Sequence, residues 1–139
     1  MRGYDKGVEI KIEYLYISVN NEMMSIQKQE KIFKALSDKN RLRILKMLQR
    51  KPLCVCEITD VLQLAASTVS QHLSILSEAG LILGEKDGKW INYRLNLQPD
   101  DAAISSALLY IQMTLENDKT IQKDLISISA VDRNIICCK

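Results

Sequence analysis

Histidine is almost missing from this chain of 139 residues: His72 is the only one. That scarcity excludes imidazole-rich metal sites, and nothing in the pattern pairs His72 with a cysteine it could activate. No glycine-rich phosphate loop and no C-x-x-C pair is present, so nucleotide chemistry and thiol oxidoreductase chemistry find no footing. An enzyme is not expected. Long apolar runs are missing too, and the longest is far too short to cross a bilayer. Arg2, Asp5, Lys6, Glu9, Lys11 and Glu13 break any signal-peptide core near the start. Four cysteines without such a signal argue for a reducing, cytoplasmic setting with no membrane partner. No tandem repeat or low-complexity tract is visible. A net charge of +2 neither marks nor excludes a nucleic-acid partner, because a basic face can sit within a near-neutral total. The length suits one domain with a sizeable core.

What is present is concentrated in residues 65–95. Val69, Leu73, Leu76 and Ala79 form an apolar stripe at helical spacing, with Ser67 as expected N-cap and Gly80 as stop. The opposite face carries Thr68, Ser70, Gln71 and Ser74, which are short, polar and uncharged. Surface helices usually place charges there. Hydroxyls and an amide instead suit base edges and phosphates in a major groove. Asp87-Gly88 between two apolar-containing runs signals a hairpin, made basic by Lys86, Lys89 and Arg94. A polar recognition helix followed by a basic hairpin predicts a winged helix-turn-helix: mostly α with a small β-hairpin wing.

Several blocks in order resemble the ArsR/SmtB family of bacterial metal-responsive repressors. They are Leu36-Ser37-Asp38, Arg41 to Leu45, Leu53-Cys54-Val55-Cys56-Glu57-Ile58, Ser67 to Leu73, Ala79-Gly80-Leu81, Gly88-Lys89-Trp90 and Tyr93-Arg94-Leu95. The resemblance covers about residues 26–115. It implies a dimeric repressor in which the first helix packs at the dimer interface. Two-fold symmetry then implies an operator with an imperfect inverted repeat. Ser67, Thr68, Ser70, Gln71 and His72 are the expected DNA contacts, with Lys86, Lys89 and Arg94 serving the wing.

Taken in order, residues 1–22 form an extension in which Val8, Ile10, Ile12, Tyr14 and Tyr16 alternate with charges, a strand pattern. It is read as an extra strand, an arm, or sequence upstream of a start at Met23 or Met24. Residues 23–117 hold the DNA-binding and dimerisation domain. Its expected helices are Ser25–Ser37, Lys39–Arg50 capped by Asp38, Cys54–Leu64, the recognition helix, and Asp101–Glu116. Arg41, Arg43, Lys46, Arg50 and Lys51 give the second helix either a solvated face or a phosphate-attracting one. On the last, Ile104, Leu108, Ile111 and Leu115 form a stripe. Leu109, Tyr110 and Met113 widen it, as burial in a dimer would require. Residues 118–139 are expected to hold a short helix over Lys119–Ile128 and a tail ending in Cys137-Cys138-Lys139.

Cys54 and Cys56 open the helix that supports the recognition helix. Each alone could be a small core residue. The resemblance favours a sensor, because arsenic-, antimony- and cadmium/lead-sensing relatives carry Cys-Val-Cys and an acidic residue here. Soft ions prefer thiolates, and a helix N-terminus lowers thiol pKa. Residues two apart on a regular helix point to nearly opposite sides. Both can grip one ion only if the first turn unwinds or is already irregular, so ligation would pull on the helix-turn-helix and weaken DNA binding. The arsenite pattern often has a third cysteine where Thr59 stands here, and cadmium/lead sensors borrow one from an N-terminal arm that here has none. Cys137 or Cys138 is therefore expected to complete a three-sulfur site, with the contributing subunit left open. Three thiolates suit As(III) or Sb(III), whereas four would admit Cd(II), Pb(II) or Zn(II). The family's His- and carboxylate-based zinc and nickel site is not expected, since residues 101–116 contain no histidine. Competing readings are a thiol redox sensor closing a disulfide between Cys54 or Cys56 and Cys137 or Cys138, and a winged helix used only for protein contacts.

Overall fold

The computed structural model describes residues 25–137; the alternating segment within residues 1–22 and Cys138 lie outside them. Helix α1 spans Ile26–Leu36 and begins where the Ser25 hydroxyl accepts the Lys28 N–H. Helix α2 spans Lys39–Leu48. Asp38 caps it as expected, accepting the N–H groups of Asn40 and Arg41. Helices α3 (Val55–Leu62) and α4 (Ala66–Glu78) are joined by a tight turn in which Gln63 takes a left-handed φ of 56°. The hairpin follows as β1 (Ile82–Asp87) and β2 (Trp90–Leu95), antiparallel, with Ile82 opposite Leu95 and Asp87 opposite Trp90. Gly88 opens its turn at φ +60°, a conformation glycine adopts without penalty. Helices α5 (Ala102–Met113), α6 (Lys119–Ala130) and the single turn α7 (Arg133–Ile136) complete the chain. Asp101, Asp118 and Asp132 cap them.

The core lies where α2, α3 and α4 meet. Ile44, Leu45, Ile58, Val69, Leu73 and Leu76 are buried there, and Leu53, Leu81 and Ile82 extend it under the hairpin. All four apolar positions foreseen on α4 are buried. Gly80 is needed at the corner after α4, where a side-chain carbon would meet Ile104 Cδ1 at 2.6 Å and φ is +78°. Leu53 and Tyr93 exchange backbone hydrogen bonds of 3.0 and 2.8 Å, which pin the base of β2 beside the start of α3.

Several expectations need correction. The recognition helix begins at Ala66 with Ala65 as N-cap, not Ser67. The carbonyl of Ala65 already accepts the N–H groups of Thr68 and Val69, so Ser67 lies inside the first turn. The last core helix stops at Met113, and Leu115 sits beyond it at φ 66° instead of in the apolar stripe. The segment after Ser129 is not simply a tail, because it contains α7.

The basic residues of α2 are also largely internal. Arg41 donates to the carbonyls of Lys34 and Ala35. Arg43 holds Asp124 of α6 at 2.7 and 2.9 Å. Lys46 is 1 % exposed, and its ammonium donates to the carbonyls of Ile111 and Thr114 and to Glu116. A buried cation is tolerable only with such partners. Those partners tie α2 to α1, α5 and α6, leaving Lys39 as the exposed cation of the helix, with Arg50 exposed just beyond its end. Phe33 and Tyr110 remain 67 % and 65 % exposed beside an apolar groove of about 730 Å³ between α1 and α5. Among the described residues no helix is long and apolar enough to cross a membrane.

Candidate thiol cluster and nucleic-acid interface

Cys54 is the N-cap of α3, with extended backbone (φ −91°, ψ 169°), and Cys56 lies in the first turn. This resolves the geometric difficulty of residues two apart. Only Cys56 follows the helical rotation, so both sulfurs can face one point without unwinding α3. Cys137 follows α7 and brings the third sulfur from the far end of the chain. The three Sγ atoms lie within 4.8 Å of one another, and Cys54 and Cys137 are 3.7 Å apart. All three are free thiols; Cys54 is buried and the other two are half-buried. Among the described residues, Cys137 of the same chain is the sulfur that lies beside Cys54 and Cys56. Thr59, at the position of the relatives' third cysteine, has a buried hydroxyl with no hydrogen-bond partner among the described residues.

Glu57 completes the local frame. It is buried, its carboxylate accepts the Cys54 N–H at 2.8 Å, and its own N–H faces the Cys54 sulfur. The helix N-terminus was expected to lower the thiol pKa, but the reverse holds in the free protein. Burial pushes the Cys54 thiol up, and the Glu57 N–H only partly offsets it. Burial and then the neighbouring sulfurs of Cys56 and Cys54 raise Cys137 further. Burial is the larger cause at both thiols and outweighs the helix N-terminus.

Residues Arg133 and Asp132 were not singled out in the sequence, although an Asp ahead of a short helical stretch is an N-cap signal. The Arg133 guanidinium donates to Asp87 at 2.7 Å and Asn92 at 2.8 Å, and lies 4.5 Å from the centre of the Trp90 ring.

The polar face of α4 presents Ser67, Ser70, Gln71 and Ser74 to solvent, with Thr68 half-buried. No side-chain group caps the first turn of α4. His72 is turned inward. It borders the Val69–Leu73–Leu76 stripe, and its Nδ1 lies 3.3 Å from Arg41 and 3.9 Å from Asp38. On the hairpin Lys86 and Lys89 are exposed, with the Lys89 ammonium 4.8 Å from the Trp90 ring centre. Arg94 is bound to Glu85 at 2.7 and 2.9 Å, so it is not a free cation.

The comparisons with known proteins bear on this arrangement. Residues 38–83, from α2 into β1, match the family model described as bacterial regulatory protein, arsR family. The arsenical resistance operon repressor of Bacillus subtilis is 39 % identical over 87 residues, covering 62 % of this chain and 83 % of that protein. The chain belongs to the arsR family. A cadmium resistance regulatory protein homologue of Staphylococcus aureus, 32 % identical over 98 residues, covers 66 % of this chain and 81 % of its own length. The chain spans only 52 % of an arsenic resistance transcriptional regulator of Pseudomonas putida, at 41 % identity over 66 residues and 47 % of this chain. The fold is similar to the homodimeric winged helix-turn-helix DNA-binding domain Mb0332 of Mycobacterium bovis. That match has a TM-score of 0.52 and 20 % identity, and covers 81 % of this chain and 87 % of that one. Family and fold together make this chain a winged helix-turn-helix transcriptional regulator rather than an enzyme.

Proposed function

We propose that this arsR-family chain is a homodimeric repressor that leaves its operator when a thiophilic metalloid, trivalent arsenic or antimony, binds Cys54, Cys56 and Cys137. The observation that carries the reading is the convergence of three sulfurs within 4.8 Å at the start of α3. Helix α3 packs against α4 through Ile58, Leu62, Val69 and Leu73. Ligand exchange at its first turn therefore acts on the element that supports the recognition helix. Three thiolates, the group of potential ligands that converges here among the described residues, match a trivalent, soft centre. Cd(II), Pb(II) or Zn(II) would call for a fourth sulfur, for which Cys138 is the remaining cysteine of the chain.

DNA is read in this proposal by Ser67, Thr68, Ser70 and Gln71 in the major groove, with Lys86 and Lys89 touching backbone from the wing. Arg94 shapes the wing through Glu85, and His72 supports α4 from beneath. The second copy covers the exposed apolar face of Phe33, Leu109, Tyr110 and Met113, whose exposure is otherwise unfavourable. A two-fold dimer reads an inverted repeat.

The test is DNA-binding anisotropy on the protein's own promoter region, fully reduced, titrated separately with arsenite, cadmium and zinc. Release at stoichiometric arsenite, lost in Cys54→Ser and Cys56→Ser, supports the reading. Tight binding indifferent to all three ions sinks it. The 3.7 Å approach of Cys54 and Cys137 favours one second reading, a disulfide switch, because closure to about 2.05 Å needs little movement. Peroxide-driven release without metal, with a Cys54–Cys137 crosslink found by mass spectrometry, would favour it.

A further inference from the structure

We propose that Arg133 is the positioning residue that couples the thiol cluster to the wing. Helix α7 is one turn long, and the Cys137 N–H donates to the Arg133 carbonyl at 2.8 Å. A ligand-bearing sulfur and a guanidinium therefore sit at two ends of the same rigid turn. The sulfur faces Cys54 and Cys56. The guanidinium reaches across to the hairpin, where it bridges Asp87 and Asn92 and covers Trp90. Asp87 and Trp90 are the register pair that closes the turn carrying Lys89. Arg133 also lies within electrostatic reach of the Glu57 carboxylate at the head of α3. The base of the same hairpin is fixed beside Cys54 by the Leu53–Tyr93 backbone pair.

The hairpin is thus held at its base by the segment leading into Cys54 and at its tip by the turn leading into Cys137. Any change that draws the Cys137 sulfur toward its partners turns α7 and moves Arg133 against the tip. The polar, exposed nature of the tip contact makes it the part that yields. Coupling of this kind is reciprocal, so a wing held by DNA alters ligand affinity by the same factor. The regulatory meaning of this lever rests on the thiol-ligand reading above, but the mechanical link does not.

The first experiment needs no ligand. Site-resolved iodoacetamide alkylation of the reduced full chain is followed by mass spectrometry. Arg133→Ala should speed modification of Cys137 by about fivefold or more, because α7 loses its anchor. Asp87→Ala, on the exposed hairpin, should do the same without a risk to the core, and the double variant should add little further. Equal rates in native protein and both single variants overturn the link. The second experiment uses Trp90, the chain's single tryptophan, as reporter. Arsenite should shift its emission in step with the near-ultraviolet absorbance of sulfur ligation. In Arg133→Ala the absorbance change should persist and the emission change should be lost. Absorbance that rises while native emission stays still overturns the coupling. Absence of any absorbance change in native protein would instead remove the metalloid reading, and the alkylation rates would still decide for or against the link.

Discussion

Helices α4 and α6–α7 pack on the same helix, α3, but different forces hold them there. Ile58 and Leu62 share one buried apolar cluster with Val69, Leu73 and Leu76, so α4 is held mainly by non-directional burial. Helix α6 adds Ile121 and Ile128 to the interior but is oriented by one ion pair, half-buried Arg43 with buried Asp124. Helix α7 buries no residue and relies on Arg133 and on the thiol contact of Cys137. In the proposed function, the difference separates DNA reading from ligand sensing. Helix α4, the proposed DNA-reading element, rests mainly on apolar contacts that thiol chemistry does not alter, with His72 beside Arg41 and Asp38 as its polar contact. The third sulfur rests on polar contacts that can yield when a ligand binds. A switch needs a bistable element, and in the proposed function that element is the C-terminal arm.

The sharpest way to test that separation is to change the ligand's proton balance. With the Cys54 and Cys137 thiols raised by burial, both carry protons at neutral pH. A protonated thiol that meets arsenite hands its proton to an arsenic hydroxyl, which leaves as water, so that affinity should stay nearly flat between pH 6 and 8. Thiols that take Cd(II) must release protons to solvent. Its affinity should therefore climb with pH, by up to about tenfold per unit for each proton displaced. Isothermal titration in two buffers of different ionisation heat checks both.

Removing sulfurs one at a time comes next. Cys54→Ser, Cys56→Ser and Cys137→Ser should each weaken arsenite binding by about 100-fold, near 3 kcal/mol. Operator affinity without arsenite should be little changed, because serine is a good N-cap at position 54. Cys138→Ser should match native protein in arsenite titrations. A loss equal to that of Cys137→Ser would move the third ligand.

Asp124→Ala attacks the arm's anchor instead. It strands Arg43 against a half-buried surface and should cost about 3 kcal/mol in urea unfolding. Arsenite affinity should fall with it as α6 and α7 loosen. Smallest are the changes on the reading side. Gln71→Ala or Ser70→Ala should weaken operator binding by about 1–2 kcal/mol in anisotropy and leave arsenite binding intact. An equal loss of arsenite binding would mean that the two sides are not separate.

Much of the reading side was legible in the chain itself. Stripe spacing on α4, Asp38 as a cap and the Asp87-Gly88 turn are local signals, set by backbone geometry and nearest neighbours. They fixed element type and the apolar face, while missing the start of α4 by two residues, because Ala65 rather than Ser67 ends the preceding loop. The direction of long side chains was not legible. Arg41, Arg43, Lys46 and Arg94 count as basic in any sequence pattern. Yet carbonyls and carboxylates from other elements take them up.

By itself, the sequence determined a winged helix-turn-helix with a paired-thiol motif at the head of its supporting helix, because period, caps and spacing are properties of neighbouring residues. Only the tertiary structure decided that Cys137 is the sulfur that meets Cys54, across 83 positions of chain. It also decided that the same turn carries Arg133 to the wing. Both outcomes depend on how α6 docks on α2 and α3, and that docking follows from burial and one long-range ion pair that no local pattern encodes.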